Sequence, residues 1–473
     1  MAQLSMIRRR KPLLIVFLLL QWFCTQVVSQ DYSVTNPCAT GYCSRSGYCN
    51  VEDYCSASRC ASTDLRKSPL MRDPKERDPC VARCDYTATT GEFCGTQKVD
   101  RPVCRKNHRL SRVVGYYEGW SPTRAYKPFY PLQIPPNIYT HLNYAFATIN
   151  PRTFEVGPTS RKEAILMERL TDLKKSQPSL RVNIAIGGWT FNNPGPTASV
   201  FSDLVRSEAN QKKFFRSLIS FMSTYGFDGV DIDWEYPVAD DRNGRPEDFD
   251  NFPKFMANLK NVLMSTCGRD ELSLTLPKSY QYLQHFDIKA LEKNVDYFNY
   301  LSYDVHGKWD REKQLTRAVL DSHSNLTEIR EAMDLLWRNE ISADKVLLGL
   351  PFYGRVYTMA DDNCKNPGCM FASAGNPGRC SRQAGILLNS ELDDIRKEKN
   401  IQSTLDTDAA VQILTWDRQW ATYDDDKSIQ LKLDFARTTC LGGVVVWAVS
   451  QDTYDGTYSR ALSGITPQPL YIA

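Results

Sequence analysis

The stretch Gly226–Pro237, GFDGVDIDWEYP, decides the fold. Asp231, Asp233 and Glu235 alternate in it with Val230, Ile232 and Trp234. Side chains alternate between the two faces of a strand, so the acids share one face and the apolar residues the other. A solvent-facing acidic strand is the plain alternative. Val230, Ile232 and Trp234 nevertheless call for an apolar layer behind them, and strands of a parallel barrel are covered on both faces.

Seven further runs carry strand character: Arg112–Tyr117, Tyr139–Phe146, Arg181–Gly187, Leu272–Leu276, Val295–Tyr303, Val346–Leu350 and Gly442–Ala448. Amphipathic segments separate several of them; Asn210–Met222 places Phe214, Leu218 and Phe221 on one helical face. With residues 227–236 as the fourth strand, the pattern predicts an α/β fold, a (β/α)8 barrel over residues 108–473. A doubly wound sheet is the runner-up, but no glycine-rich nucleotide turn follows the first strand. The gap between the seventh and eighth strands is too long for a plain connection. It predicts a small inserted α+β subdomain at about 357–433, where Cys364, Cys369 and Cys380 are placed to close loops.

In such a barrel the three acids face the interior and climb toward the C-terminal mouth, where active sites of this fold lie. Alternate residues on a strand stand roughly 6.6 Å apart, so the carboxylates are expected to share a proton and push one another's pKa upward. A carboxyl kept protonated near neutral pH is what general acid catalysis requires. Three carboxylates also suit Mg²⁺ or Ca²⁺. Five histidines without a zinc-type spacing give a metal no further support, and neither metal nor cofactor is expected.

The N-terminus has the layout of a secretory signal peptide over residues 1–29: Arg8–Lys11, then the apolar run Pro12–Leu20, then small residues near Ser29. The run is short for a membrane span, so no membrane attachment is expected after cleavage. Cys24 leaves with that segment, and fourteen cysteines remain, as suits an oxidising compartment. Nine of them crowd between Cys38 and Cys104 and five follow, so either one bridge joins the regions or each keeps a free thiol. Residues 30–107, poor in apolar runs, read as a disulfide-held module. A formal net charge of +3 without a basic stripe excludes nucleic acid as the expected partner. Asn325 opens the sequon Asn325-Leu-Thr327 and is a candidate glycosylation site.

The block DGVDIDWEYP resembles the DGxDxDWE signature of glycoside hydrolase family 18, the chitinases. IAIGGWT (184–190), LSYDVHG (301–307), GLPFYGRVY (349–357) and VVVWAVSQD (444–452) are similar to that family's third-, sixth-, seventh- and eighth-strand blocks. LTWDRQWATYDDDKSI (414–429) is similar to its α+β insertion. Ala185 stands where the family usually has Ser, and Leu301 where Met is common. The resemblance implies that Glu235 is the general acid, that Asp233 holds the substrate acetamido group and shares a proton with Asp231, and that Tyr303 binds the acetamido carbonyl. It implies substrate contacts for Tyr116, Trp189, Tyr236, Asp304, Tyr353, Arg355 and Trp447. Three acids on one strand face cannot flank a sugar as the two carboxyls of ordinary retaining glycosidases do, so the substrate's N-acetyl oxygen would act as the nucleophile.

Cys38–Cys55 resembles the core of hevein-type chitin-binding modules, with Ser44, Tyr48 and Tyr54 at sugar-contacting positions, although the adjacent Cys-Cys pair is absent. Together with AIGGWT it is similar to the killer-toxin-like branch of fungal chitinases. The expected protein is a secreted, monomeric chitinase acting on chitin and chitooligosaccharides. A non-catalytic chitin-binding lectin and a toxin or effector component are the alternatives.

Overall fold

The computed structural model describes residues 99–312, 318–463 and 465, and a short antiparallel pairing of Gln30–Asp31 with Tyr48–Cys49. The expected signal segment, Ser44 and Tyr54 lie outside the described residues, and Tyr48 is described only through its backbone.

Eight parallel strands close on themselves: β1 (Arg112–Glu118), β2 (His141–Ile149), β3 (Arg181–Gly187), β4 (Gly229–Asp233), β5 (Glu271–Pro277), β6 (Tyr297–Leu301), β7 (Val346–Pro351) and β8 (Gly443–Trp447). β8 pairs back to β1 through Gly443 and Arg112, so no edge is left open. The expected barrel is therefore present. Its alternation is the one that the opening stretch demands. Val230, Ile232 and Trp234 lie in the layer between strands and helices, where Trp234 stacks on Phe201 at 5.3 Å and meets Phe252 edge-on at 5.0 Å. Residues such as Val114, Tyr116, Ala185 and Leu347 fill the barrel interior. Each fully buried large side chain of this kind contributes about 1.5–3 kcal/mol.

The helix Glu208–Tyr225 sets the entry of β4. Ser207 caps it by accepting from the Asn210 amide, and Gly226 ends it in the left-handed region at φ 76°. Phe214, Leu218, Phe221 and Met222 form its buried face. At the far end β4 stops at Asp233, not at residue 236, because its neighbour turns away. Gly187 and Gly188 take φ 120° and 83°, and the Gly188 amide donates to the Asp233 carbonyl at 2.7 Å. A Cβ on Gly187 would stand 1.9 Å from that carbonyl oxygen, so only glycine fits. Glu235 thus lies on the loop past the strand. β6 likewise ends at Leu301, placing Tyr303 and Asp304 on the loop beyond it.

A six-stranded antiparallel sheet stands between β7 and β8. It starts at Tyr353 and its last strand, Gln419–Tyr423, leads into the helix Asp426–Thr438. That helix packs Ile429, Leu433 and Phe435 onto the barrel layer, so the sheet is set back by several residues from the 357–433 expected on loop length. Cys364 and Cys369 are bridged, and Cys104 is bridged to Cys440, joining the cysteine-rich region to the barrel. Cys267 and Cys380 are free thiols. Among the described residues no helix is long and apolar enough to cross a membrane.

Candidate active site

At the C-terminal mouth Asp231 is the deepest acid and is fully enclosed. Its Oδ2 accepts from the Tyr116 hydroxyl at 2.6 Å, and its Oδ1 from Ser273 Oγ at 2.6 Å and Asn299 Nδ2 at 3.0 Å. Burial raises its pKa, and these three donors restrain the rise. Asp233 accepts from Thr275 Oγ1 at 2.6 Å. Burial first, then the charges of Glu235 and Asp231, push Asp233 well above the usual carboxylate range. Donors from β1, β5 and β6 thus surround Asp231.

Glu235 lies next toward solvent and is 8% exposed. Burial pushes its carboxyl up to about 7, against the pull of the Tyr236 hydroxyl and the Arg242 charge, while Asp304 pushes it upward. Arg242 fixes the backbone there: Nε donates to the Glu235 carbonyl at 2.8 Å, Nη1 to Asn193 Oδ1 at 2.8 Å and Nη2 to the Trp189 carbonyl at 2.5 Å. Its guanidinium covers the Trp189 ring at 3.8 Å. Trp189, 51% exposed, therefore flanks the Glu235 loop and does not join Trp447.

Burial, reinforced by the charge of Asp233, holds the Tyr303 phenol well above its ordinary value, so the hydroxyl remains a donor. Tyr303 meets Tyr353 edge-on at 6.2 Å. Burial alone would raise Asp304, but Arg355 outweighs it and holds the carboxylate well below the ordinary range. Arg355 donates to both its oxygens, at 2.8 and 2.6 Å, and Tyr353 adds a bond of 2.6 Å. Tyr236 is buried, with its hydroxyl bonded to the Glu235 carboxyl and its ring stacked 4.3 Å from that of Tyr282. Trp447 is half-buried and forms an aromatic floor with Tyr116 at 5.2 Å, Phe146 at 5.9 Å and Trp120 at 6.4 Å.

A protein with acids on the inner face of a fourth barrel strand has a definite kinship. Residues 112–452 match the model of glycosyl hydrolases family 18. The chain belongs to that family. Secreted chitinase LysM12 of Penicillium expansum is 28% identical over 429 residues, which is 83% of this family-18 chain and 28% of the relative. Killer toxin subunits alpha/beta of Kluyveromyces lactis is 29% identical over 384 residues, 80% of this chain and 31% of the relative. The chain thus spans less than a third of the length of either. Human YKL-39, described as a pseudo-chitinase with retained chitooligosaccharide binding, superposes with a TM-score of 0.65 at 25% identity, covering 76% of this chain and 97% of that one.

Several site residues of this family-18 chain escaped the sequence reading. Ser273, Thr275 and Asn299 bind the acids, and each is a polar residue interrupting a period-two apolar run (LSLTL, YFNYL), a signal that was available. Phe146 and Arg242 carried no such mark. Asn325, the sequon residue, caps the helix Leu326–Ala332 by accepting from the Thr327 amide at 3.0 Å. One group of potential metal ligands occurs among the described residues: His306, Asp321 and Glu328, within 4.8 Å of one another. Bonds from His306 to Asp310 and Glu328 outweigh burial and lift its pKa to about 10, so the protonated imidazole pairs with these carboxylates.

Proposed function

We propose that this chain is a secreted chitinase that hydrolyses β-1,4-linked N-acetylglucosamine polymers with retention, with residues 30–107 as an accessory chitin-binding module. The observation that carries the reading is Glu235, a carboxyl held near neutral pKa at the mouth, directly after the buried Asp233. Glu235 would protonate the glycosidic oxygen as its bond to the anomeric carbon breaks. The carbonyl oxygen of the substrate's own acetamido group would attack that carbon from the opposite face, with Asp233 and Tyr303 orienting the group. Water, losing its proton to Glu235, would then reopen the cyclic intermediate with a second inversion. Trp447, Tyr116, Phe146 and Trp120 offer a stacking floor for a sugar face. Export is supported by the bridges Cys104–Cys440 and Cys364–Cys369 and by the likeness to secreted chitinase LysM12.

The YKL-39 likeness favours a second reading, chitooligosaccharide binding without turnover. Anomer-resolved product analysis on N-acetylglucosamine oligomers separates the readings. An initial β-anomer is expected. An initial α-anomer excludes retention, and binding without products establishes the second reading.

A further inference from the structure

A buried histidine outside the family-type sequence blocks stands against this site. His323 lies between β6 and β7 and is fully enclosed. Its carbonyl accepts from the Val305 amide at 3.0 Å, which pins it beside the loop carrying Asp304. Nδ1 is 3.3 Å from Asp304 Oδ1 and 3.5 Å from the Asp304 amide nitrogen. The ring packs 4.9 Å from that of Tyr353, and Nε2 has no hydrogen-bond partner among the described residues.

The tautomer follows from those contacts. A proton on Nε2 would leave a buried donor without an acceptor and give Nδ1 only the long amide contact. A proton on Nδ1 meets an ionised carboxylate and leaves only a lone pair unpaired, the smaller cost. Protonating both would bury a second cation beside Arg355. Burial accordingly holds the His323 pKa below its ordinary value.

We infer that His323 is a positioning residue of the candidate active site, whose neutral Nδ1–H joins Tyr353 and Arg355 in fixing the Asp304 carboxylate. The inference rests on the hydrolase reading above. Oδ1 of Asp304 then takes three donors and Oδ2 one, all from side chains. A neutral donor holds the carboxylate without adding a second cation beside Arg355, and so leaves what remains of its negative field in place. That field reaches Glu235 and raises it. The other groups facing Asp304 are Lys278, whose Nζ donates to its carbonyl at 2.9 Å, and Tyr303. Those facing Glu235 are Asp233, Tyr236, Arg242 and Lys278, and those facing His323 are Asp304, Arg355 and Asp424. None of them supplies a donor that replaces Nδ1–H.

Imidazole ¹⁵N NMR on the full chain at neutral pH tests the tautomer independently of turnover: Nδ1 protonated and Nε2 bare is expected. A proton on Nε2 overturns the inference. In kinetics, His323→Phe is expected to lower kcat on the order of tenfold or more, with KM little changed, because a misplaced charge acts on the reacting geometry. It should also move the alkaline limb of kcat/KM to lower pH, since Glu235 loses part of the field that raises it. His323→Asn, whose amide reaches the Nδ1 position, should recover most of the loss. His323→Phe should add nothing in an Asp304→Asn background. Equal losses in the Phe and Asn variants, or a full further loss on Asp304→Asn, overturn the inference. Should the Phe variant not fold, His323→Gln, whose amide falls nearer Nε2, takes its place with the same expected loss. A wild-type chain that hydrolyses nothing defeats the hydrolase reading, while the NMR result still judges the tautomer.

Discussion

Two buried glutamates near opposite ends of the barrel are treated in opposite ways. Glu235, past the end of β4 at the mouth, is pushed up to about 7, whereas Glu271, the first residue of β5 at the opposite end, is drawn down to about 2. Burial is the largest influence on both, and it acts upward on both. What separates them is company. Glu271 meets Arg181 Nε at 2.6 Å, His141 Nε2 at 3.1 Å and Asn183 Nδ2 at 3.3 Å. Glu235 has Asp233 and Asp304 nearby, and its cationic neighbour Arg242 spends its Nε on the backbone carbonyl. One interior therefore draws a carboxyl down at one end and pushes one up toward neutral at the other.

The largest expected effect breaks the mouth. Glu235→Gln should cut hydrolysis of N-acetylglucosamine oligomers by about 10²–10⁴-fold while circular dichroism stays unchanged. Retained activity would remove Glu235 from the proton transfer. The bottom comes next: Glu271→Gln leaves Arg181 and His141 without their anion and should cost about 3–5 kcal/mol in urea unfolding near neutral pH. The Glu271 pKa is depressed on folding, so its stabilisation is complete above about 4.5 and is lost as pH falls through about 2. The gap between wild type and variant should narrow over that window, and a gap that persists below pH 2 contradicts the assignment. The smallest effect has the opposite sign. The Glu235 pKa is raised on folding, so the folded state is favoured most below about 4.5 and loses that advantage as pH rises through about 7. Glu235→Gln should therefore stabilise the chain by about 1–3 kcal/mol at pH 8 and by nothing at pH 4. A variant no more stable than wild type at pH 8 would mean that the mouth does not hold Glu235 against ionisation.

The legible part of the site was its spine. Asp231, Asp233 and Glu235 fall on one face by period two alone, and Tyr303, Asp304, Tyr353, Arg355 and Trp447 come from blocks at strand ends. Strand ends were less legible: β4 stops early because Gly187 and Gly188 lead β3 away, an event in the neighbouring strand. Trp189 sits in a family-type block, yet its place is set by Arg242, which is 53 residues away in the chain. The pairing of Cys104 with Cys440 spans 336 residues, and an odd count in each region stated only that such a bridge was one of two options.

The sequence by itself determined the barrel and the order of the acids from Asp231 to Glu235, because strand alternation is local and repeats along the chain, and its motif blocks carried the resemblance to the family. Only the tertiary structure decided which acids are pushed up and which are drawn down. The donors on Asp231 come from residues 42, 68 and 115 positions away, and the groups that separate Glu235 from Glu271 act through space. Electrostatic energy in a buried site depends on distance and desolvation, and neither is written in any one segment of the chain.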